Sequence, residues 1–344
     1  VSFSAGFSSA QPVAIAGGRF THAVVDRDIA GSASGAQLVR LLPGDERYVA
    51  KFADVRQELA VQRALGRMNA RWRERELTLC GVPLETVTYS IVPLGDAAGL
   101  VQAVPSSRTL RQLCRGFSLE DRHLRVLHAL QGSVTRLDRL AASTAAYLTA
   151  CYSLGVGDGH DDNIMLRADG SLFRVDFGYV FGARPKLDAP QTVLPKAVTH
   201  ALSESRLGPL VRACGQALDA LSCGAGGAPP CWACVAEVPE LRPFHAAALA
   251  HARSLSLEGF QEAVVRAHEW SFRRTVKNIV HEARDAASCL VGAAAWPEDD
   301  PSEGEEAGEE TGVPLGGLRG SWAPLPLGDP FASSPRGRRG ARAA

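Results

Sequence analysis

The sequence lacks several features that would assign it to a specialised class of protein. It has no net charge, because 37 Lys and Arg residues balance 37 Asp and Glu residues, so steering of the whole molecule toward nucleic acid is not indicated. It has no apolar run of about 18 residues and no signal-peptide pattern, so we expect no membrane span. It begins at Val1 instead of Met, as a fragment would.

Cysteine is present, but not in the pattern of a disulfide-stabilised protein. The eight cysteines are scattered over 344 residues, and this distribution is typical of reduced thiols in a cytosolic protein. The pair Cys231 and Cys234 in "CWAC" raises the alternative of a zinc site. The other nearby candidate ligands stand at irregular spacing, so we favour a surface insertion.

What the sequence does contain is a stretch crowded with acids. Residues 154–178 read "LGVGDGHDDNIMLRADGSLFRVDFG". The pattern predicts two short strands, "IML" and "SLFRV", joined as a hairpin. Its ends would present Asp158, His160, Asn163 and Asp176 to one cleft. Phosphoryl transfer needs such a set: oxygen ligands for Mg²⁺, a carboxylate near the attacking hydroxyl, and a donor to the migrating phosphoryl group.

These residues resemble the catalytic and activation loops of the phosphatidylinositol 3- and 4-kinases and their protein-kinase relatives. The family pattern is Gly-Asp-Arg-His, two residues and Asn, then a strand and Asp-Phe-Gly. The resemblance implies that Asp158 is the catalytic carboxylate and that His160 steadies the γ-phosphoryl group or takes part in proton transfer. It also implies that Asn163 and Asp176 hold Mg²⁺ or Mn²⁺.

The neighbours of these residues are of two kinds. We interpret Asp161 and Asp169 as ordinary solvated loop residues. Gly159 instead departs from the family, which has arginine between the catalytic Asp and His. Glycine loosens the backbone and removes a charged group that could tie the loop to its surroundings. Either a slower enzyme or a nucleotide-binding remnant is consistent with this change; we favour an active enzyme and expect Gly159→Arg to raise turnover.

The resemblance extends upstream to the nucleotide site. "YVAKFADVRQE", residues 48–58, is similar to the family's small-lobe strand and the Asp-Leu-Arg-Gln-Asp motif after it. It implies that Lys51 contacts the ATP phosphates, and a helix acid, Glu58, would hold that lysine in place. The glycine-rich phosphate-covering loop is not assigned, because neither "AGGRF" nor "AGSASG" is distinctive.

Later in the chain, five residues are candidates for the adenine pocket. Tyr89 and Ile91 would line the pocket, with an ordinary core position as the alternative. Gln102, Ala103 and Val104 would form the hinge, whose backbone N–H and C=O groups would bind adenine. These assignments follow from the similarity of "YSIVPLGDAAGLVQAV" to the family's strand, turn and hinge.

The segment after Asp-Phe-Gly resembles that of class III phosphatidylinositol 3-kinases. "GARPKLDAPQTVLPKAV" is short and proline-rich and carries Arg184, Lys186 and Lys196. Without a larger cluster of bases, it favours an acceptor of low charge, phosphatidylinositol itself. The alternative is that these are ordinary solvated charges. A basic and apolar helix over residues 270–283 would lie at an anionic membrane surface or pack on the large lobe.

The resemblance implies an α+β, bilobal protein-kinase-like fold with a small β-rich N-lobe and a larger helical C-lobe. We expect a poorly specified start of the small lobe (1–37), then the small lobe and hinge (38–104) and the large lobe (105–291). Residues 292–344 are predicted to be a disordered tail, acidic and then rich in Arg, Pro and Gly.

The implied activity is transfer of the ATP γ-phosphate to the inositol ring of phosphatidylinositol, with the 3-position favoured. The alternatives are a related serine/threonine protein kinase and a catalytically impaired kinase-like scaffold. The implied cofactors are ATP and Mg²⁺ or Mn²⁺. The expected partners are phosphatidylinositol at a membrane surface and a regulatory protein subunit, with no nucleic acid. The expected location is the cytoplasm, peripheral on intracellular membranes.

Overall fold

The computed structural model describes residues 7–15, 18–29, 35–118, 120–185, 194–222 and 239–266. Several predicted features lie outside these ranges, namely Lys186, the cysteine pair of "CWAC", the helix over 270–283 and the C-terminal tail.

An antiparallel sheet of six strands is built from the first 102 residues. Its order is β1-β2-β3-β4-β8-β7, and β5 and β6 form a separate two-stranded ladder. The bounds are β1 (Phe7–Ile15), β2 (Gly18–Asp28), β3 (Gln37–Leu42), β4 (Glu46–Lys51), β5 (Thr78–Leu79), β6 (Val82–Pro83), β7 (Ile91–Pro93) and β8 (Gly99–Gln102). The turn "PGDE" between "QLVRLL" and "RYVAKF" predicts a hairpin, and these two segments form β3 and β4.

Alternation along β3 and β4 explains why this hairpin packs. Val39 and Leu41 alternate with less buried residues on β3, and Tyr48 and Ala50 do so on β4. Side chains two apart on a strand point to the same face, so these four form one apolar cluster. The charged Lys51 comes directly after this buried run.

Helix α1 (Arg56–Glu74) follows β4 and lies in the main core. Its buried residues Val61, Leu65, Met68 and Trp72 recur every three or four positions, which places them on one face. The chain enters this helix past Gly99 of β8, where a side-chain carbon would collide with Val55. The close approach of strand and helix start positions α1 directly beside Lys51.

Alternation in "TVTYSIVPL", residues 86–94, predicts a strand, but only β7 is formed there. Residues 84–90 are not in a strand, and side-chain amides bind the backbone N–H groups of two of them. Asn69 Oδ1 accepts from the Thr86 N–H at 2.9 Å, and Gln62 Oε1 accepts from the Tyr89 N–H at 3.1 Å. Both acceptors belong to α1, so this segment is fastened along the helix.

The acid-rich stretch forms the predicted hairpin. A three-stranded sheet contains β9 (Ser107–Thr109), β10 (Ile164–Arg167) and β11 (Leu172–Arg174) in the order β11-β10-β9. Ile164 pairs with Arg174 across the hairpin. Residues before β10 and after β11 therefore meet at the same end of this sheet.

Helices make up most of the remaining described residues. They are α2 (Leu110–Cys114), α3 (Arg122–Ala129), α4 (Val134–Ser153), α5 (Lys196–Ser222), α6 (His245–Ser254) and α7 (Leu257–Arg266), with a 3₁₀ turn at Pro239–Phe244. The second half of α4 is buried on all sides, and α5 is interrupted at Ser203 (φ 58°). None of the described helices has both the length and the apolar character to cross a bilayer. The four cysteines within the described ranges are free thiols.

Candidate active site

A buried ion pair joins the last residue of β4 to the first turn of α1. Lys51 Nζ lies 2.7 Å from Glu58 Oε1, with side chains 16% and 8% exposed. Burial by itself lowers the pKa of Lys51, but Glu58 and Asp176 outweigh it, so the pKa is raised and the ammonium is retained. Burial raises the pKa of Glu58, and Lys51 offsets only part of this rise. The predicted opposition of strand lysine and helix acid is present.

Asp176 lies on the other side of Lys51. Its Oδ1 atom is 3.9 Å from Lys51 Nζ, and its side chain is 50% exposed. Its backbone has φ of 62°, a left-handed conformation that is uncommon outside glycine. Next to it, Gln57 Nε2 donates to the carbonyls of Phe177 (2.7 Å) and Gly178 (3.2 Å). Helix α1 is thereby tied to the Asp-Phe-Gly segment, and sequence reasoning gave Gln57 no role.

The hairpin end brings the predicted loop residues to the same place. The Val175 N–H donates to the carbonyl of Asn163 at 3.0 Å. Asn163 Nδ2 in turn donates to the Asp158 carbonyl at 3.1 Å, with the Asp158 carboxylate 3.4 Å away. Asn163 is buried, and Asp158 has φ of 64°. Hydrogen bonds thus connect Asp158 to Asn163, and Asn163 to Val175, the residue before Asp176.

His160 lies between two carboxylates. Its Nε2 atom is 3.6 Å from Asp158 Oδ2, and its Nδ1 atom is 3.5 Å from Asp162 Oδ2. Nδ1 also accepts from the Asp162 backbone N–H at 3.3 Å when the ring proton is on Nε2. That tautomer directs the ring N–H toward Asp158, where a proton could be held during transfer.

The prediction that Asp161 is a solvated loop residue is wrong. Asp161 is 7% exposed, and its carboxylate lies 3.5 Å from Arg122 of α3. Its neighbour Asp162 pairs with Arg111 of α2 at 2.6 Å. Burial raises the pKa of Asp162, but His160 and Arg111 outweigh it, so the net pKa is below its ordinary value. The loop packs against two helices, which its own sequence does not reveal.

Asp169 is consistent with the solvated turn residue that was predicted. It accepts from the Ser171 backbone N–H at 2.9 Å in the hairpin turn, and its side chain is 29% exposed. Its carboxylate also lies 3.3 Å from Arg139 and 3.4 Å from Arg167.

Arg174 is a further residue of the site that the sequence did not reveal. It ends β11, is 6% exposed, and its Nη2 atom donates to the carbonyls of Gly157 and Asp158, both at 2.7 Å. Gly159, the departure from the family pattern, is buried in the loop that these contacts hold. The missing arginine at 159 therefore does not leave the loop without a guanidinium contact.

Tyr89 and Ile91, candidates for the nucleotide pocket, are buried in the main core with 7% and 6% exposure. The Tyr89 hydroxyl donates to the Arg174 carbonyl at 3.4 Å, and its ring meets Phe173 edge to face. Burial strongly raises the pKa of Tyr89, so its hydroxyl stays protonated. The core alternative describes both residues, and a contact with nucleotide stays a prediction.

The hinge amides are not equally available. The Gln102 N–H donates to the Ser90 carbonyl and the Ala103 N–H to the Arg47 carbonyl, both at 2.9 Å. The Val104 carbonyl accepts from the Ser107 hydroxyl at 2.6 Å. An adenine contact through the Gln102 or Ala103 N–H would have to break a sheet or loop bond. The Val104 amide is therefore the better candidate donor.

Strand register separates the two glycine-rich stretches. Asp28 at the end of β2 pairs with Gln37, and Gln37 pairs with Ala50, next to Lys51. The end of β2 and the start of β3 therefore lie at the Lys51 end of the sheet. The end of β1 and the start of β2, where Ile15 pairs with Gly18, lie at the opposite end. Residues 30–34 of "AGSASG" and residues 16–17 of "AGGRF" lie outside the described part of the chain, so neither stretch is assigned as the phosphate-covering loop.

The segment after Asp-Phe-Gly begins beside the catalytic loop. Gly157 N–H donates to the Tyr179 carbonyl at 2.9 Å, and Gly182 N–H donates to the Gly155 carbonyl at 3.1 Å. A side-chain carbon on Gly155 would collide with the Gly182 backbone and His251. Among the predicted acceptor residues, Arg184 and Lys196 are exposed, and Lys196 is the first residue of α5.

Comparison with known proteins identifies relatives of part of this chain. Residues 124–221 match the model of the family described as phosphatidylinositol 3- and 4-kinase. The nodule and root isoforms of phosphatidylinositol 3-kinase from Glycine max are each 32% identical over 157 residues. Phosphatidylinositol 3-kinase VPS34 from Arabidopsis thaliana is 31% identical over the same length. Each alignment covers 44% of this chain and 19% of the relative. The resemblance to this family, including its class III members, is confirmed.

Proposed function

We propose that this chain, whose residues 124–221 match the phosphatidylinositol 3- and 4-kinase family, phosphorylates the inositol ring of phosphatidylinositol at the 3-position. A phosphotransferase of this family is supported by the match and its relatives. The observation that carries the proposal is the set of contacts from the Lys51–Glu58 pair through Asp176 to the loop of Asp158 and Asn163. Phosphoryl transfer relies on such positioned charge.

Each residue has a role in this chemistry. Lys51, held by Glu58, neutralises the α- and β-phosphates of ATP. Asp158 orients the attacking hydroxyl and accepts its proton, and the His160 ring beside it steadies the γ-phosphoryl group. The left-handed backbone of both Asp158 and Asp176 fits functional positions, where strained conformations cluster.

The donors near Asp176 fit magnesium. Carboxylate and amide oxygens are hard ligands of the kind that Mg²⁺ prefers. Asp176 is half exposed, and because Asn163 Nδ2 donates to Asp158, the atom of Asn163 that would hold the cation is Oδ1. When bound with ATP, the metal would neutralise phosphate charge. Within the described ranges no three His, Cys, Asp or Glu side chains form a metal cluster.

The organisation of the chain is part of the proposal. The mixed strands and helices are those of a kinase-like fold. We propose the bilobal arrangement, with a small lobe and hinge over 38–104 and a large lobe over 105–291. Residues 1–37 begin the small lobe, and 292–344 form a tail.

The acceptor assignment rests on the relatives and on exposed bases. The relatives are named phosphatidylinositol 3-kinases, and Arg184 and Lys196 are exposed. We propose that these two residues, with Lys186, contact the lipid headgroup. A helix over 270–283 would engage the membrane. A regulatory subunit and a cytoplasmic, membrane-peripheral location are further proposals.

The decisive experiment supplies labelled ATP and Mg²⁺ to the purified chain with phosphatidylinositol vesicles. We expect label in the lipid, at the 3-position after headgroup analysis. Asp176→Ala should abolish labelling, whereas the matched Asp169→Ala change in the hairpin turn should preserve it. Label only in added protein would indicate a protein kinase. ATP binding without turnover would indicate a scaffold, and either result would overturn the proposal.

A further inference from the structure

The guanidinium of Arg174 donates hydrogen bonds to the backbone of the catalytic loop. Its Nη2 atom contacts the carbonyls of Gly157 and Asp158, both at 2.7 Å. Hydrogen bonds from a charged donor are shorter and stronger than neutral ones. Both carbonyls belong to the three residues that precede His160, so the contact acts where the loop begins.

A purely structural arginine at this depth would be expected to pair with an acid. Buried arginines are rare unless paired, because removing the charge from water is costly. Arg174 is 6% exposed, yet the hydrogen bonds that its side chain makes within the described part of the chain go to backbone carbonyls and not to a carboxylate. Its Nε atom is buried without a hydrogen-bond partner among the same residues. The contacts that Arg174 does make are those with the loop.

Arg174 binds the carbonyl of Asp158, a residue with an unfavourable backbone conformation. Asp158 has φ of 64°, which residues with a side chain adopt at a cost. Its carbonyl accepts from both Arg174 Nη2 and Asn163 Nδ2. Without these donors the peptide could relax to negative φ, which would redirect the Asp158 carboxylate away from His160 and Asn163.

We propose that Arg174 is a positioning residue for Asp158 and that it supplies, from strand β11, the tether that the loop lacks because residue 159 is glycine. The proposal rests on the proposed function. It replaces the expectation that Gly159 leaves the loop loose: a guanidinium from another part of the chain donates to the backbone of this loop.

The test compares Arg174→Met, Arg174→Lys and the control Arg206→Met. Arg206 pairs with Asp138 at 2.8 Å, is 17% exposed and lies outside the site. With phosphatidylinositol vesicles we expect Arg174→Met to lower kcat by about 10- to 100-fold, as misplacement of a reacting group does. The KM for ATP should change by less than about twofold. Lysine should restore part of kcat, and Arg206→Met should leave it unchanged.

A second measurement does not depend on turnover. Amide hydrogen exchange should accelerate at residues 157–160 in Arg174→Met and stay unchanged there in Arg206→Met. A wild-type chain without lipid turnover would defeat the proposed function, and the exchange result would still decide the role of Arg174. Unchanged exchange, or a loss of kcat matched by the control, would overturn the positioning role. If Arg174→Met does not fold, the same comparison is made with Arg174→Lys.

Gly159→Arg gives an independent check. Because Arg174 already holds the loop and Gly159 is buried, an added arginine should not raise kcat. A rise in kcat in the Gly159→Arg variant would mean that the loop is under-tethered and would overturn the proposal.

Discussion

The Lys51–Glu58 pair and the catalytic loop at 157–163 hold their charges in opposite ways. Lys51 and Glu58 are seven positions apart and fix each other across one strand and the following helix. The loop instead receives three arginines from three elements. Arg111 contacts Asp162 across 51 positions, Arg122 contacts Asp161 across 39, and Arg174 contacts Gly157 across 17.

This difference predicts how substitutions in the two regions affect stability and turnover. Glu58 depends on Lys51 alone among its ion pairs within the described residues, so removing Lys51 leaves a buried carboxylate without its partner. The loop distributes its support, so each arginine holds a different atom of the same segment. We therefore expect substitutions in the pair to act on folding and turnover together, and substitutions around the loop to separate the two.

The largest effect is expected from Lys51→Met. It removes the contact to the ATP phosphates and leaves Glu58 buried, so turnover should fall below detection. The free energy of unfolding should fall by about 3 kcal/mol, as for a broken buried pair. Adding Glu58→Gln should recover most of the stability but none of the turnover, by urea unfolding and lipid labelling. Full stability in Lys51→Met alone would contradict this account of the pair.

An intermediate effect on stability should distinguish Asp161 from Asp169, which the sequence predicts to be alike. Asp161→Asn removes the charge that faces Arg122 in a buried position and should cost about 1–2 kcal/mol of stability. Asp169→Asn, on the partly exposed hairpin turn, should cost less than about 0.5 kcal/mol. Chemical denaturation of both variants measures the difference. Equal costs would mean that the loop is not anchored to α3 as described.

The smallest effect is a pH dependence carried by Asp162. Its pKa in the folded chain lies below its ordinary value of 3.8, after Arg111 and His160 outweigh burial. The ionised form therefore stabilises the fold above that value, and this contribution is lost as pH falls through the lower, folded-state pKa. Unfolding free energies of wild type and Asp162→Asn should differ at pH 7 and converge below pH 3.8. A constant difference would exclude this linkage.

The sequence predicted elements and local pairs well. The β3–β4 hairpin, α1 and the β10–β11 hairpin form where alternation and helical spacing indicate them. The opposition of Lys51 and Glu58 also follows from a strand running directly into a helix. The strand predicted through 86–90 is not formed because Asn69 and Gln62 bind its backbone from α1. No local pattern carries that information.

By itself, the sequence determined the family resemblance and the identity of the candidate chemical groups. Both rest on the spacing of residues within one segment, and this spacing can be recognised without knowing which elements pack beside the segment. Only the tertiary structure decided that Asp161 is buried and that Arg174 reaches the loop in which Gly159 stands. Those contacts join residues on separate elements, and burial changes the energetic meaning of a charge. The loop that contains Gly159 is therefore contacted by an arginine 15 residues further along the chain, which the hairpin brings back to the loop.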